Sequence, residues 1–123
     1  MITCIVIDDD RGITEMFSEL LELMGLEVLA CGHDGNEAIS LYMKYRPDII
    51  FTDIMMPNFD GFYGIEKIKE IDPDVKIVAI TADISLEIEQ RLNKLNIAAV
   101  IYKPFDQSKI KQVLMEKYKI STK

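Results

Sequence analysis

The sequence alternates five times between a short apolar run, often β-branched, and a longer stretch with apolar residues at helical spacing. The predicted strands cover residues 3–7, 26–31, 48–53, 76–81 and 98–102. The predicted helices cover residues 12–24, 35–46, 61–71, 84–95 and 106–119. Strands that are apolar on both faces and alternate with helices predict an α/β fold, a parallel sheet between two layers of helices.

Length and composition favour one domain spanning residues 1–123. A net charge of −7 argues against non-specific nucleic-acid binding, because the DNA backbone is itself anionic. No apolar run has the length of a membrane span, and the first residues lack the features of a secretory signal. We therefore expect a cytoplasmic protein without a membrane partner, whose Cys4 and Cys31 are reduced, buried thiols.

Polar side chains follow the predicted strands at their carboxyl ends. They are Asp8, Asp9 and Asp10 after the first strand, Asp53 after the third, Thr81 after the fourth and Lys103 after the fifth. The carboxyl ends of parallel strands meet at one edge of the sheet, where doubly wound folds bind their ligands. The sequence therefore predicts that these side chains converge.

Converging carboxylates repel one another unless a cation joins them. Oxygen ligands without nitrogen or sulfur suit Mg²⁺, with Mn²⁺ as a substitute. A carboxylate is also a nucleophile that can form an acyl phosphate, and a lysine and a hydroxyl can neutralise and bind the phosphoryl oxygens.

Each of these positions also has a purely structural explanation. Asp10 precedes a helix and would serve as its N-cap, Asp53 precedes a turn, and Lys103 and Thr81 would be ordinary residues at strand ends. Their common position at one end of the strands favours a site. Met16, Met24 and Met43 fall at helical spacing and are predicted to pack in the core.

Four motifs carry a resemblance to a known family: VIDDD (6–10), DIIFTDIMMPNFDG (48–61), IVAITA (77–82) and YKPF (102–105). With them the chain resembles, over essentially its full length, the receiver domain of two-component response regulators. The resemblance implies the flavodoxin-like (βα)5 fold with strand order 2-1-3-4-5. It also implies a phosphoprotein that promotes its own phosphorylation and dephosphorylation and is not a turnover enzyme.

The resemblance also implies a role for each matching position. Asp53 corresponds to the phosphoacceptor, while Asp8, Asp9, Asp53 and the backbone carbonyl of Met55 correspond to the Mg²⁺ ligands. Thr81 corresponds to the residue whose hydroxyl takes part in the switch, and Lys103 to the lysine that pairs with the phosphate. The peptide bond between this lysine and the following proline is usually cis in the family, so the Lys103–Pro104 bond is expected to be cis.

A histidine kinase or histidine phosphotransfer protein is the implied phosphodonor. By analogy it contacts Gly12, Ile13, Met16, Pro104 and Phe105. The family analogy further implies a monomer or a weak, phosphorylation-dependent dimer. Val100 stands where the family usually has an aromatic residue, so the usual aromatic side-chain switch is not expected in its ordinary form.

The sequence leaves several alternatives. The chain is either a stand-alone receiver, acting as a chemotaxis signal or a phosphorelay shuttle, or the receiver of a larger regulator or hybrid kinase. A haloacid dehalogenase-type phosphohydrolase would instead use Asp8 as nucleophile and Asp10 as acid/base. An unphosphorylated interaction module would bind little Mg²⁺. An FMN carrier would need a hydroxyl- and glycine-rich loop that the acidic loop after the first strand does not provide.

Overall fold

The structure, a computed structural model, describes residues 1–57 and 60–123, so Asn58 and Phe59 of the quoted motif lie outside the described residues. Its strands and helices alternate as predicted. The elements are β1 Thr3–Ile7, α1 Arg11–Leu23, β2 Glu27–Gly32, α2 Gly35–Tyr45, β3 Ile49–Asp53, α3 Gly61–Ile71, β4 Lys76–Thr81, α4 Leu86–Lys94, β5 Val100–Tyr102 and α5 Gln107–Tyr118.

The five strands form one parallel sheet in the order β2-β1-β3-β4-β5, which confirms the predicted fold and strand order. The register aligns the carboxyl ends of the strands. Ile7 at the end of β1 pairs with Thr52, the residue before Asp53, and Thr81 at the end of β4 pairs with Tyr102. The residues that follow these ends therefore share one edge of the sheet.

Alternating side chains of the strands build a core on each face of the sheet. On one face, Ile5 and Ile50 pack in a cluster with residues of α2, α3 and α4. On the other, Val6 and Phe51 pack in a cluster with residues of α1 and α5. Burial of both faces explains why β1 and β3 are almost wholly apolar.

Each helix in the described residues is preceded by an aspartate or serine whose side chain accepts a hydrogen bond from a backbone N–H of the first turn. The capping residues are Asp10, Asp34, Asp60, Ser85 and Asp106. Such a cap stabilises a helix by about 1 kcal/mol. The bond from Ile13 N to Asp10 Oδ1, 3.2 Å long, confirms the capping role that Asp10 was predicted to have.

The prediction that the methionines pack in the core is right for Met24 and wrong for Met16 and Met43, which are 66% and 57% exposed. The buried stripe of α1 consists of Thr14, Phe17 and Leu21. Met16 lies one position away from that stripe, so its side chain is turned toward solvent.

Both cysteines are free, and Cys4 is buried whereas Cys31 is only partly covered. None of the helices in the described ranges has the length and apolar character needed to cross a bilayer.

Candidate phosphoacceptor site

Asp53 is the buried centre of a polar cluster at the carboxyl edge of the sheet. Its side chain is held from both sides: Oδ1 accepts a hydrogen bond from Met55 N at 2.9 Å, and Oδ2 accepts one from Lys103 Nζ at 3.0 Å. The residue is only 6% exposed. Burial raises the pKa of Asp53, an effect that the bonds from Met55 and Lys103 oppose and the nearby charge of Asp8 reinforces.

Lys103 joins two of the predicted carboxylates. Its Nζ lies 3.0 Å from Asp53 Oδ2 and 3.2 Å from Asp8 Oδ2. Burial alone would lower the pKa of Lys103, but the hydrogen bonds and charges of Asp53 and Asp8 outweigh it and raise that pKa. The Lys103–Pro104 bond is cis, as the family resemblance predicted.

Three carboxylates have the arrangement of a cation site. Asp8, Asp9 and Asp53 each offer an oxygen, and these oxygens all lie within 4.8 Å of one another. Asp9 is exposed, whereas Asp8 and Asp53 are buried. Carboxylate oxygens at a site that is open to solvent suit Mg²⁺, because this ion binds few carboxylates and keeps several waters. The chemistry of the donor set therefore fits the predicted ion.

Thr81 is fully buried, and its Oγ1 accepts a hydrogen bond from Asp83 N at 3.0 Å. The bond fixes the hydroxyl oxygen but leaves the hydroxyl proton free to be donated to another group. An open cleft of about 550 Å³ lies at this edge of the sheet, and its lining includes Asp53, Lys103, Asp83 and Ile84 but not Thr81.

Gly61 is a site residue whose role sequence reasoning missed. A Cβ at this position would overlap the backbone oxygen of Asp53 and would lie 2.5 Å from Ile54 Cα. The start of α3 therefore packs directly against the backbone that carries Asp53. The Asp60-Gly61 pair was visible in the sequence, but its contact with Asp53 depends on the three-dimensional fold.

A second groove lies beside the site, between α1 and the loop that follows β5. Its volume is about 490 Å³, and its lining includes Ile13, Met16, Pro104 and Phe105. The structure thus brings together four of the five predicted partner-contact residues. Gly12, the fifth, is exposed but does not line the groove.

Val100 is partly buried in β5, and Tyr102 is 38% exposed, so neither side chain is fully buried.

Comparisons with known proteins identify the family of the chain. The family model described as the response regulator receiver domain matches residues 4–115. The chain belongs to this family, whose members are signalling domains of two-component systems and not turnover enzymes.

Two curated relatives and one solved structure illustrate the similarity. The chemotaxis protein CheY of Thermotoga maritima is 30% identical over 89% of this chain and 92% of its own length. The sporulation initiation phosphotransferase F of Bacillus subtilis is 27% identical over 89% of this chain and 88% of its own. The structure of chemotaxis protein CheY4 of Vibrio cholerae superimposes with a TM-score of 0.86 at 27% identity, covering 94% of this chain and 98% of that one.

Proposed function

We propose that the protein accepts a phosphoryl group on Asp53 from a phosphohistidine, with Mg²⁺ held by Asp8, Asp9, Asp53 and the backbone carbonyl of Met55. One observation carries the proposal: Lys103 Nζ contacts the carboxylates of both Asp53 and Asp8, and Asp9 lies in the same cluster. The phosphoaspartate then alters the surface that the protein presents to a downstream partner.

The side chains around Asp53 support a nucleophilic role for this residue. The Met55 N–H fixes one carboxylate oxygen, which orients the other for attack on phosphorus. The new O–P bond forms as the P–N bond of the donor breaks, and the imidazole nitrogen keeps the electron pair and takes a proton from water. When bound, Mg²⁺ neutralises charge on the phosphoryl oxygens during this transfer.

In this proposal Lys103 and Thr81 respond to the phosphorylated product. The lysine ammonium, now bonded to Asp53 Oδ2, would move to a phosphoryl oxygen, since this group carries more negative charge than the carboxylate it replaces. The Thr81 hydroxyl would donate its free proton to another phosphoryl oxygen. This inward bond connects phosphorylation to β4 and to the segment that follows it.

The segment after β4 is suited to change position. In α4 only Ile88 and Leu92 are buried, so the helix rests on few core contacts. The Arg91 guanidinium carbon lies 3.8 Å from the centroid of the Phe62 ring, which adds a cation–π contact to α3. We infer that the face of α4, β5 and α5 switches, without the aromatic side chain that Val100 replaces.

The groove between α1 and the loop after β5 is proposed as the docking surface of the phosphodonor, a histidine kinase or a histidine phosphotransfer protein. It is apolar, and Lys103 lies at its border with the phosphoacceptor site. A donor bound there would present its phosphohistidine close to Asp53.

We place this exchange in the cytoplasm, and the two free cysteines are consistent with a reducing compartment.

The capping role of Asp10, whose Oδ1 accepts a hydrogen bond from Ile13 N, favours the receiver over the phosphohydrolase alternative, in which Asp10 would be the acid/base. The relatives include proteins of similar length, such as the Thermotoga CheY, and regulators about twice as long, so the stand-alone receiver and the receiver of a larger regulator both remain proposals.

Incubation with acetyl phosphate and Mg²⁺ tests the proposal without requiring the natural donor. We expect intact-mass spectrometry to detect one added phosphoryl group, which EDTA or the Asp53→Asn substitution abolishes. Asp10→Asn is the matched control, because asparagine also caps helices and the change lies in the same acidic triplet. Equal phosphorylation of the Asp53→Asn variant would overturn the assignment.

A further inference from the structure

We propose that the protein self-associates through the face formed by α1 and α5, each copy binding a second copy of the same chain about a twofold axis. The two helices lie on the same side of the sheet. Phe17 and Leu21 of α1 share a core cluster with Ile110 and Leu114 of α5. The proposal does not depend on the proposed phosphorylation, because it rests on charges and exposed apolar side chains of the unmodified chain.

The outer surface of α1 is acidic. It carries the exposed glutamates Glu15, Glu19 and Glu22, and its one basic residue, Arg11, is at the first position of the helix. Glu19 belongs to the same stripe as two exposed apolar residues, Met16 and Leu23, because the three are spaced by three and four positions.

The surface of α5 and the residues after it is basic, although the whole chain carries a net charge of −7. Lysines occupy positions 109, 111, 117, 119 and 123, against a single glutamate at 116. The last lysine is held near α1, since Lys123 N donates a hydrogen bond to Met24 O at 2.9 Å. Lys111, beside the C-terminal residues, and Lys123 therefore place positive charge near the acidic helix α1, whereas Lys117 lies toward α4.

Exposed apolar side chains accompany the charges on both helices. Leu23 is 76% exposed on α1, and Met115 is 44% exposed on α5. Met115, Lys111 and Ile120 line a groove of about 410 Å³ between α5 and the C-terminal residues. Apolar side chains exposed on one face and bordered by charges are typical of protein–protein contacts.

The arrangement is complementary to itself. A twofold axis would place α1 of one copy against α5 of the other. The dimer would then contain two symmetric ion pairs, each between Glu19 of one copy and Lys111 of the other. A partner of a single charge sign would be attracted by one helix and repelled by the other. The separation of the two signs onto neighbouring helices therefore favours a second copy of this chain as the occupant.

Charge reversal tests the pairing by sedimentation velocity of the unphosphorylated protein. We expect a monomer–dimer equilibrium for the wild type. Glu19→Lys and Lys111→Glu should each raise the dimer dissociation constant about tenfold, because each change affects two symmetric ion pairs. An equimolar mixture of these variants should regain association as a heterodimer, in which both pairs have opposite charges again.

Two substitutions of equal charge change serve as controls. Lys117 lines a separate groove with Glu89 and Asn93 of α4, and Glu66 lies on α3, which packs on the other face of the sheet. Lys117→Glu and Glu66→Lys should leave the dissociation constant unchanged. The proposal is wrong if the wild type stays monomeric at millimolar concentration, if Lys117→Glu weakens the dimer as much as Lys111→Glu, or if the mixture fails to associate.

Discussion

Asp8, Asp9 and Asp10 are consecutive, yet their side chains have different partners. Asp8 accepts hydrogen bonds from Lys103 Nζ and from Asp10 N, while Asp10 accepts the capping bond from Ile13 N. Asp9 is exposed and contributes its oxygen to the cluster with Asp8 and Asp53. Single substitutions should separate these roles.

We predict that Asp9→Asn abolishes measurable Mg²⁺ binding, that Asp8→Asn weakens it, and that Asp10→Asn changes it little. Asp9 is the carboxylate without a lysine partner, so its charge is the most available to a cation, whereas Asp8 is shared with Lys103. Isothermal titration calorimetry measures the three affinities. Equal losses of Mg²⁺ affinity for Asp9→Asn and Asp10→Asn would contradict these separate roles.

The positions of Asp53, Lys103 and the acidic triplet could be predicted because each ends or directly follows a recognisable strand. The hydrogen bond between Thr81 and Asp83 N, and the place of Ile84 in the cleft wall, could not. These two features depend on the path of the loop after β4, which no periodic pattern in the sequence describes. The exposure of Met16 was missed because helical spacing alone does not fix which residues form the edge of an apolar face.

At the scale of elements, α3 is fixed against β3 through a close backbone contact. Gly61 N donates to Ile54 O at 3.3 Å, and the absent side chain of Gly61 permits this approach. The contact sets the position of α3 below the phosphoacceptor.

We predict that Gly61→Ala lowers the free energy of unfolding by about 1–3 kcal/mol, because its Cβ would overlap backbone atoms, which have little room to shift. Urea denaturation measures the loss. Gly12→Ala is the control: its Cβ meets only the Asp10 side chain at 3.2 Å, and alanine favours a helix. A Gly61→Ala variant as stable as the wild type would show that the contact relaxes without cost.

A tyrosine connects α5 to the start of β4. Tyr118 Oη donates a hydrogen bond to Ile77 O at 2.6 Å and accepts one from Ile77 N at 3.0 Å. Burial raises the pKa of Tyr118, although the bond from Ile77 N opposes this shift.

We predict that Tyr118→Phe costs about 1–3 kcal/mol of stability at neutral pH, because both backbone groups of Ile77 lose their partner. Tyr102→Phe, at an exposed position, should be neutral. The advantage of the wild type over Tyr118→Phe should shrink as pH rises above about 10, because the unfolded tyrosine ionises before the folded one. Urea titrations at several pH values measure both effects, and an advantage that grows with pH would contradict the raised pKa.

The elements themselves were predictable to within a few residues, and the largest misses are at β5 and α4. The strand predicted from residue 98 begins at Val100, although Ala99 O still accepts a hydrogen bond from Ala79 N. The helix predicted from residue 84 begins at Leu86, because the Ser85 side chain caps it by accepting from Ile88 N. Apolar residues extend beyond both elements, so periodicity alone overestimated their length.

At the scale of the whole molecule, the parallel sheet gathers the Asp, Thr and Lys side chains at one edge, and the groove of α1 opens beside them. Met16 belongs to that groove and also to the stripe of α1 that we assign to self-association. The phosphodonor and a second copy of the chain would therefore compete for part of α1. If both proposals hold, the surface of α1 links the supply of the phosphoryl group to the oligomeric state.

The central claim is that Asp53 carries the phosphoryl group. Reduction of the phosphorylated protein with borohydride converts an aspartyl phosphate to homoserine, and peptide mass spectrometry then locates the changed residue. We predict homoserine at position 53, dependent on Mg²⁺ during phosphorylation. Homoserine at position 8, as a phosphohydrolase-type nucleophile would give, or at no aspartate at all, would contradict the account.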